Sequence, residues 1–218
     1  MFATLTGALP RTLADGTSLA ALEAAVAAGT ATPGDLEAAV DRLVREVITI
    51  QVEVGLEPLG DGQVRWPDLA HAVVGSLDGV EPGADGRPRA IADTVSRRAS
   101  PLVDAWRATT AAVAELAPGR VVKQAVPGPY SLGVRLAGGR ADREAVVMAL
   151  AGALAAELAD LAAAGCVLVE VEEPAATTIG GDPGARALFV AAQRRLLADV
   201  PGLHATLDEV AATWQAER

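Results

Sequence analysis

The feature that most constrains this chain is an alternation. A short apolar run, a loop rich in Gly, Pro and charge, and a helical stretch succeed one another roughly every 40 residues. The apolar runs fall at residues 2–7, 56–59, 121–126, 166–171 and 203–207, and the clearest is Cys166-Val167-Leu168-Val169-Glu170-Val171. They are near-continuous in apolar character, as befits strands buried on both faces, and strands separated by helices pair in parallel through crossovers. The order therefore predicts an α/β fold of parallel strands, a single domain over residues 1–218 with about five βα units.

The helices between the runs carry their own punctuation. One is expected near 18–28. A second starts at Thr32-Pro33-Gly34-Asp35, with Thr32 as cap, proline at the first position and an acid in the first turn, and runs to about residue 54. Others are expected over 101–116, ending at Pro118-Gly119, over 142–164, stopped by Gly165, and over 183–198, with a helical tail through Trp214. Pro82, Gly83, Gly86 and Pro88 make residues 80–89 the most linker-like stretch, read as an excursion within the one domain.

Composition excludes several classes. The net charge of −10 and the pI near 4.7 disfavour a chain that must neutralise nucleic-acid phosphates. The longest apolar stretch, near 145–161, contains Glu157 and Asp160 and reads as a buried amphipathic helix, so no membrane association is expected. The single Cys166 rules out an internal disulfide, and the start MFATLTGALPR has neither the basic opening nor the apolar core of a secretory signal. The cytoplasm is the expected location, and the wealth of Ala, Val, Arg, Gly and Asp suits a GC-rich bacterial source.

Polar and turn residues gather where the predicted strands end, at 8–11, 63–68, 128–131 and 170–174. Parallel α/β folds build ligand sites at the carboxyl ends of their strands, so these loops are expected to converge on one pocket. Gln63, Trp66, Tyr130, Glu170 and Glu172 are its candidate lining, with strand alternation placing Glu170 and Glu172 on one face and Val171 on the other. Trp66 reads equally as a ligand-stacking ring or as a plug at the mouth of the fold. Asp68 either orients a ligand with Arg65 or forms an ion pair with it.

Four of these segments, in order, resemble the cobalamin-independent methionine synthase family. LAAAGCVLVEVEEP (161–174) is similar to that family's AGC and DEP segment, GLEPLGDGQVRWPD (55–68) to its GE-containing segment, VVKQAVPGPYSL (121–132) to its Lys and TGP segment, and TGALPR (6–11) to its opening IGS and PR segment. The resemblance covers residues 6–207 and implies a TIM-type (βα)₈ barrel that transfers a methyl group from a folate or corrinoid donor to a small thiol such as homocysteine. It also implies a zinc ion that holds the thiol as thiolate, because a thiol is a poor nucleophile until deprotonated.

By the same resemblance Glu172 and Gln63 stand where the family holds the amino group of homocysteine, Gln63 replacing a glutamate and so removing a charge. The family's His-x-Cys zinc pair corresponds to His204-Ala205-Thr206, which leaves His204 as an incomplete ligand set and makes zinc binding by this chain alone unexpected. Ala8 replaces a serine. Five predicted strands against eight imply a shortened barrel, or a sheet completed by a partner chain or a second copy. Two functions follow as expectations: a methyltransferase acting on a small thiol, or a catalytically silent ligand-binding or assembly module on the same fold.

Overall fold

A computed structural model describes residues 3–84, 86–137, 141–198, 200 and 202–208. The expected helical tail through Trp214, and Phe2 of the first expected strand, lie outside these residues. In chain order the described elements are α1 (Leu19–Ala27), α2 (Pro33–Glu53), α3 (Leu69–Val74), β1 (Leu77–Asp78), β2 (Val80–Pro82), β3 (Pro88–Ala90), β4 (Ser96–Arg97), α4 (Pro101–Leu116), β5 (Gln124–Pro127), α5 (Pro129–Leu136), α6 (Arg143–Ala164), β6 (Leu168–Glu172), a 3₁₀ helix (Pro174–Thr178), α7 (Pro183–Leu196) and β7 (His204–Asp208).

The long helices begin where side chains can satisfy the first free N–H groups. Thr32 and Asp35 form a reciprocal capping box at α2, with Pro33 in the first turn. Asp142 caps α6 by accepting from Ala145 N, and Gly165 ends it in the left-handed conformation at φ 99°. Asp182 caps α7 through the N–H groups of Gly184 and Ala185. Two helices, α3 and α5, are additional to those the sequence predicts.

The sheet that matters for the site is parallel, in the order β5-β6-β7. Its register sets Ala125 beside Glu170 and Pro127 beside Glu172, then Leu168 beside His204 and Glu172 beside Asp208. The two expected strands at 2–7 and 56–59 are not regular strands among the described residues. Leu59 makes a single parallel bridge to Val122, with Leu59 N donating to Val121 O at 2.9 Å and Lys123 N to Leu59 O at 2.8 Å. Glu57 N donates to Ala3 O at 2.7 Å. Pro58 has no N–H to offer a ladder, so pairing beyond these isolated bonds is interrupted there.

Residues 80–89, read as an excursion within the domain, fold into short ladders packed on its core. β2 and β3 form an antiparallel hairpin pairing Val80 with Ala90, and β1 pairs antiparallel with β4, Leu77 opposite Arg97. The segment is anchored in the core by Ala90 and Val95, and its entry depends on Gly79 at φ 81°, where a Cβ would lie 2.5 Å from Thr94 O. Glycine is the residue that meets both demands.

Val126, Val169 and Val171 send one sheet face into the main core, against Leu150, Leu154, Leu158 and Leu161 of α6 and Leu102 of α4. A second cluster joins α1, α2 and α4 around Leu43, Val47, Ile48, Leu59 and Val113. α6 is long and apolar enough to cross a membrane by length and composition, yet it holds the fully buried Glu157. That carboxylate accepts from Arg97 Nη1 at 2.7 Å and from Leu102 N at 2.9 Å, which are the contacts of a core helix.

Candidate functional site

β6 supplies the two acidic side chains of the site by simple alternation. Val169 and Val171 face the helices, so Glu170 and Glu172 face the other way. Glu170 is deep in the fold: its Oε2 lies 2.6 Å from Lys123 Nζ, both side chains are 6% exposed, and Lys123 also donates to the carbonyl of Leu5. Burial of both charges is tolerated because each neutralises the other and Lys123 has a second acceptor.

Two residues further along, Glu172 accepts a hydrogen bond from the side-chain amide of Gln63. Gln63 sits at φ 58°, the left-handed region, and it is the only non-glycine there among the described residues. Several bonds hold this loop in place: Gln63 N donates to Asp61 Oδ1 at 2.9 Å, Leu9 N to Gly62 O at 2.9 Å and Arg11 Nε to Val64 O at 2.9 Å. Burial pushes the Asp61 carboxyl up, against the hydrogen bond from Gln63 N and the charge of Arg65, whose Nε lies 3.4 Å away. A strained backbone so firmly held marks a place where the side chain's direction matters.

Glu172 opens onto a cavity of about 330 Å³ above the carboxyl ends of β5 and β6. Leu69 and Ala70 of α3, Leu132 and Arg135 of α5, and Pro174 and Ala175 of the 3₁₀ helix are among its walls. Asp68 stands just outside as the cap of α3, accepting from His71 N at 3.0 Å and from Arg135 Nη2 at 2.7 Å. Burial would raise the Asp68 carboxyl, but the hydrogen bonds from His71 and the charge of Arg135 outweigh it and hold the group below its usual range. Arg65, the sequence-level partner for Asp68, pairs instead with Asp61 and Asp41.

The sequence-predicted residues divide into two groups. Glu172 lines the cavity, while Gln63 and Asp68 stand behind its wall, bonded to the lining residues Glu172 and Arg135. Glu170 shares their face but lies one layer deeper, bonded to Lys123. Trp66 packs half-buried against the main core and is not part of the cavity wall. Tyr130 was expected in the pocket, but its ring is 4% exposed in a separate cluster between α5, α6 and α7, edge-on to Phe189 with ring centres 5.8 Å apart. As the second residue of α5 it faces the neighbouring helices, while Ser131, Leu132 and Arg135 face the cavity.

His204, the one residue the resemblance leaves of a zinc ligand set, is the exposed first residue of β7, opposite Leu168 and thus at the amino end of the sheet. Cys166, just before β6, is buried at the same end, and that burial raises its thiol. Among the described residues no group of three or more His, Cys, Asp and Glu side chains could hold a metal ion. Among the described side chains, the donor set at the cavity, one carboxylate beside a neutral amide, does not fit a thiolate-binding zinc site.

Glu173 is a participant the sequence reading missed. It is completely buried, and its Oε1 accepts from Tyr130 N at 3.1 Å and Gln193 Nε2 at 2.5 Å, while Oε2 accepts from Ser131 N at 2.7 Å. Burial pushes its carboxyl up against the pull of these donors. The only hint in the sequence is the Gly-Pro start of α5, whose free N–H groups call for an acceptor.

The family described as the cobalamin-independent synthase, catalytic domain, matches residues 1–192, and the chain belongs to that family. It is 30% identical over 159 residues to a 5-methyltetrahydropteroyltriglutamate–homocysteine methyltransferase of Synechococcus sp. (strain JA-2-3B'a(2-13)), a match covering 67% of this chain and 20% of that protein. The corresponding protein of Thermosynechococcus vestitus (strain NIES-2133 / IAM M-273 / BP-1) is 28% identical over 156 residues, covering 66% and 20%. The chain thus spans about a fifth of the length of the curated relatives it matches.

Among solved structures, a protein described as a vitamin-B12 independent methionine synthase from Listeria monocytogenes superposes with a TM-score of 0.74 at 19% identity, covering 95% of this chain and 65% of that one. A B12-independent methionine synthase from Shewanella sp. W3-18-1, in complex with selenomethionine, gives 0.72 at 17% identity, covering 94% and 60%. These likenesses establish the fold.

Proposed function

We propose that this chain is a methionine synthase-type methyltransferase domain, on a barrel of about five βα units, whose cavity holds a small amine-bearing thiol of the homocysteine class. The observation that carries this reading is Glu172: a carboxylate at the wall of a cavity at the carboxyl ends of parallel strands, hydrogen-bonded to the Gln63 amide. A carboxylate attracts an ammonium group, the Arg135 guanidinium on the α5 wall, held by Asp68, has the charge and several N–H groups to meet a ligand carboxylate as well, and Leu69, Leu132 and Pro127 suit an aliphatic chain between them. A folate or corrinoid would supply the methyl group. The thiol would need a metal to become thiolate near neutral pH, and the described residues provide no ligand set for one.

A second reading, a ligand-binding module without turnover, is favoured by one observation: His204 and Cys166 sit at the end of the sheet away from the cavity. Calorimetry with L-homocysteine tests the shared part of both readings. Glu172→Ala should weaken binding about tenfold or more, since a hydrogen bond to a charged group is lost. Equal affinity in the wild type and this variant would remove Glu172 from the site and the proposal with it. Turnover assayed with zinc and 5-methyltetrahydrofolate then separates the two readings.

A further inference from the structure

Glu172 and Glu173 are adjacent yet point to opposite sides, one into the cavity and one into the packing behind it. Behind the cavity, Glu173 gathers donors from separate elements: Tyr130 and Ser131 N–H from the start of α5, and the Gln193 amide from α7. Ser131 in turn accepts from Ala175 N at 3.0 Å, and Ser131, Ala175 and Glu172 all line the cavity. We propose that Glu173 is the positioning residue of this site: touching no ligand itself, its carboxylate fixes the spacing between the α5 wall, the 3₁₀ wall and Glu172, and ties that spacing to α7 through Gln193.

The chemistry of the contacts supports this assignment. Each of the groups facing Glu173 donates, so both its oxygens must accept, which a carboxylate does and an amide does not. In Glu173→Gln the amide NH₂ would face at least one N–H group, and α5 would have to shift. A shift of Ser131 carries Ala175 with it, because Ala175 N donates to the Ser131 hydroxyl. Gly128 belongs to the arrangement, since a Cβ there would lie 2.1 Å from Glu173 Cδ. The link to ligand binding rests on the reading of the cavity given above.

Amide hydrogen exchange and calorimetry on the full chain test this proposal together. In Glu173→Gln, exchange at Tyr130, Ser131 and Ala175 should speed up by about tenfold or more, and L-homocysteine affinity should fall by about the same factor. Amides of α2 and α4 should exchange as in the wild type. Gln193→Met, outside the cavity, should move the same amides and the affinity in the same direction by a smaller factor, and it carries the comparison alone if Glu173→Gln does not fold. Faster exchange at Tyr130 and Ser131 with Ala175 and the affinity unchanged would reduce Glu173 to a local strut and overturn the proposal. Absence of homocysteine binding by the wild type would sink the ligand reading by itself, and the positioning role would then stand or fall on Ala175, faster exchange supporting it and unchanged exchange rejecting it.

Discussion

Gly128 and Glu173 lie 45 residues apart in number, yet the Glu173 side chain fills the space a Cβ at Gly128 would need. In Gly128→Ala the new methyl would meet the Glu173 carboxyl at 2.1–2.5 Å, and Glu173 is buried and bonded from several sides, so it has no cheap way to yield. Overpacking of this kind costs about 1–3 kcal/mol. A thermal or urea midpoint unchanged by Gly128→Ala would show that the contact is softer than its geometry. At this scale the sequence is legible where a rule of alternation applies: Glu170 and Glu172 share a face because successive side chains of a strand oppose one another. Glu173 is illegible by that rule, since a carboxylate beside Pro174 at a strand end ordinarily reads as a solvated loop residue. Its burial follows from α5, a helix whose brevity left no periodic signal.

At the scale of elements, two polar joints hold helices that hydrophobic contact alone would leave free to slide. Arg97 on β4 reaches Glu157 and Asp160 of α6, both at 2.7 Å, and Ser100 donates to Asp160 at 2.6 Å. Glu157 is 1% exposed, so Arg97→Ala would strand a buried charge at a cost of about 3–5 kcal/mol, whereas the double variant Arg97→Ala with Glu157→Gln should recover much of that loss. Equal stabilities for the single and double variants would contradict this account. The second joint is Asp68, which caps α3 and binds Arg135 at the end of α5. Its carboxyl is depressed in the folded state, so the charged form contributes stability that is present above the unfolded value of 3.8 and lost as pH falls through the lower folded value. Asp68→Asn keeps a capping oxygen but no charge, and should cost about 0.5–1 kcal/mol at neutral pH. The gap between the two proteins should close as pH drops below 3.8, and a gap that stays constant or widens there would place the interaction elsewhere. Helices with full capping signals were readable to within a few residues, whereas the nested ladders at residues 77–97 were hidden by the same Gly and Pro residues that make their turns.

For the molecule as a whole, the decisive fact is which end of the parallel sheet each group occupies. Three of the five expected strands, near 121–126, 166–171 and 203–207, pair in parallel as the apolar runs suggested, but the end of a strand at which a residue falls depends on register, and register is set by pairing partners far away in sequence. His204 pairs with Leu168, and the other end of β7 pairs with Glu172. Four residues of strand at about 3.3 Å each put His204 some 13 Å from the level of Glu172, whereas zinc ligands lie within about 2.0–2.3 Å of the ion. His204 and Glu172 therefore cannot share a metal without rebuilding the sheet, and Cys166 is held at the His204 end beneath the core. Chelator-washed protein reloaded with one equivalent of zinc and passed through a desalting column should accordingly carry far less than one zinc per chain, and His204→Ala should leave both that residue of metal and the affinity for L-homocysteine unchanged. One firmly retained zinc, lost together with homocysteine binding in His204→Ala, would mean that β7 pairs in a different register and that the amino and carboxyl ends of this sheet have been assigned the wrong chemistry.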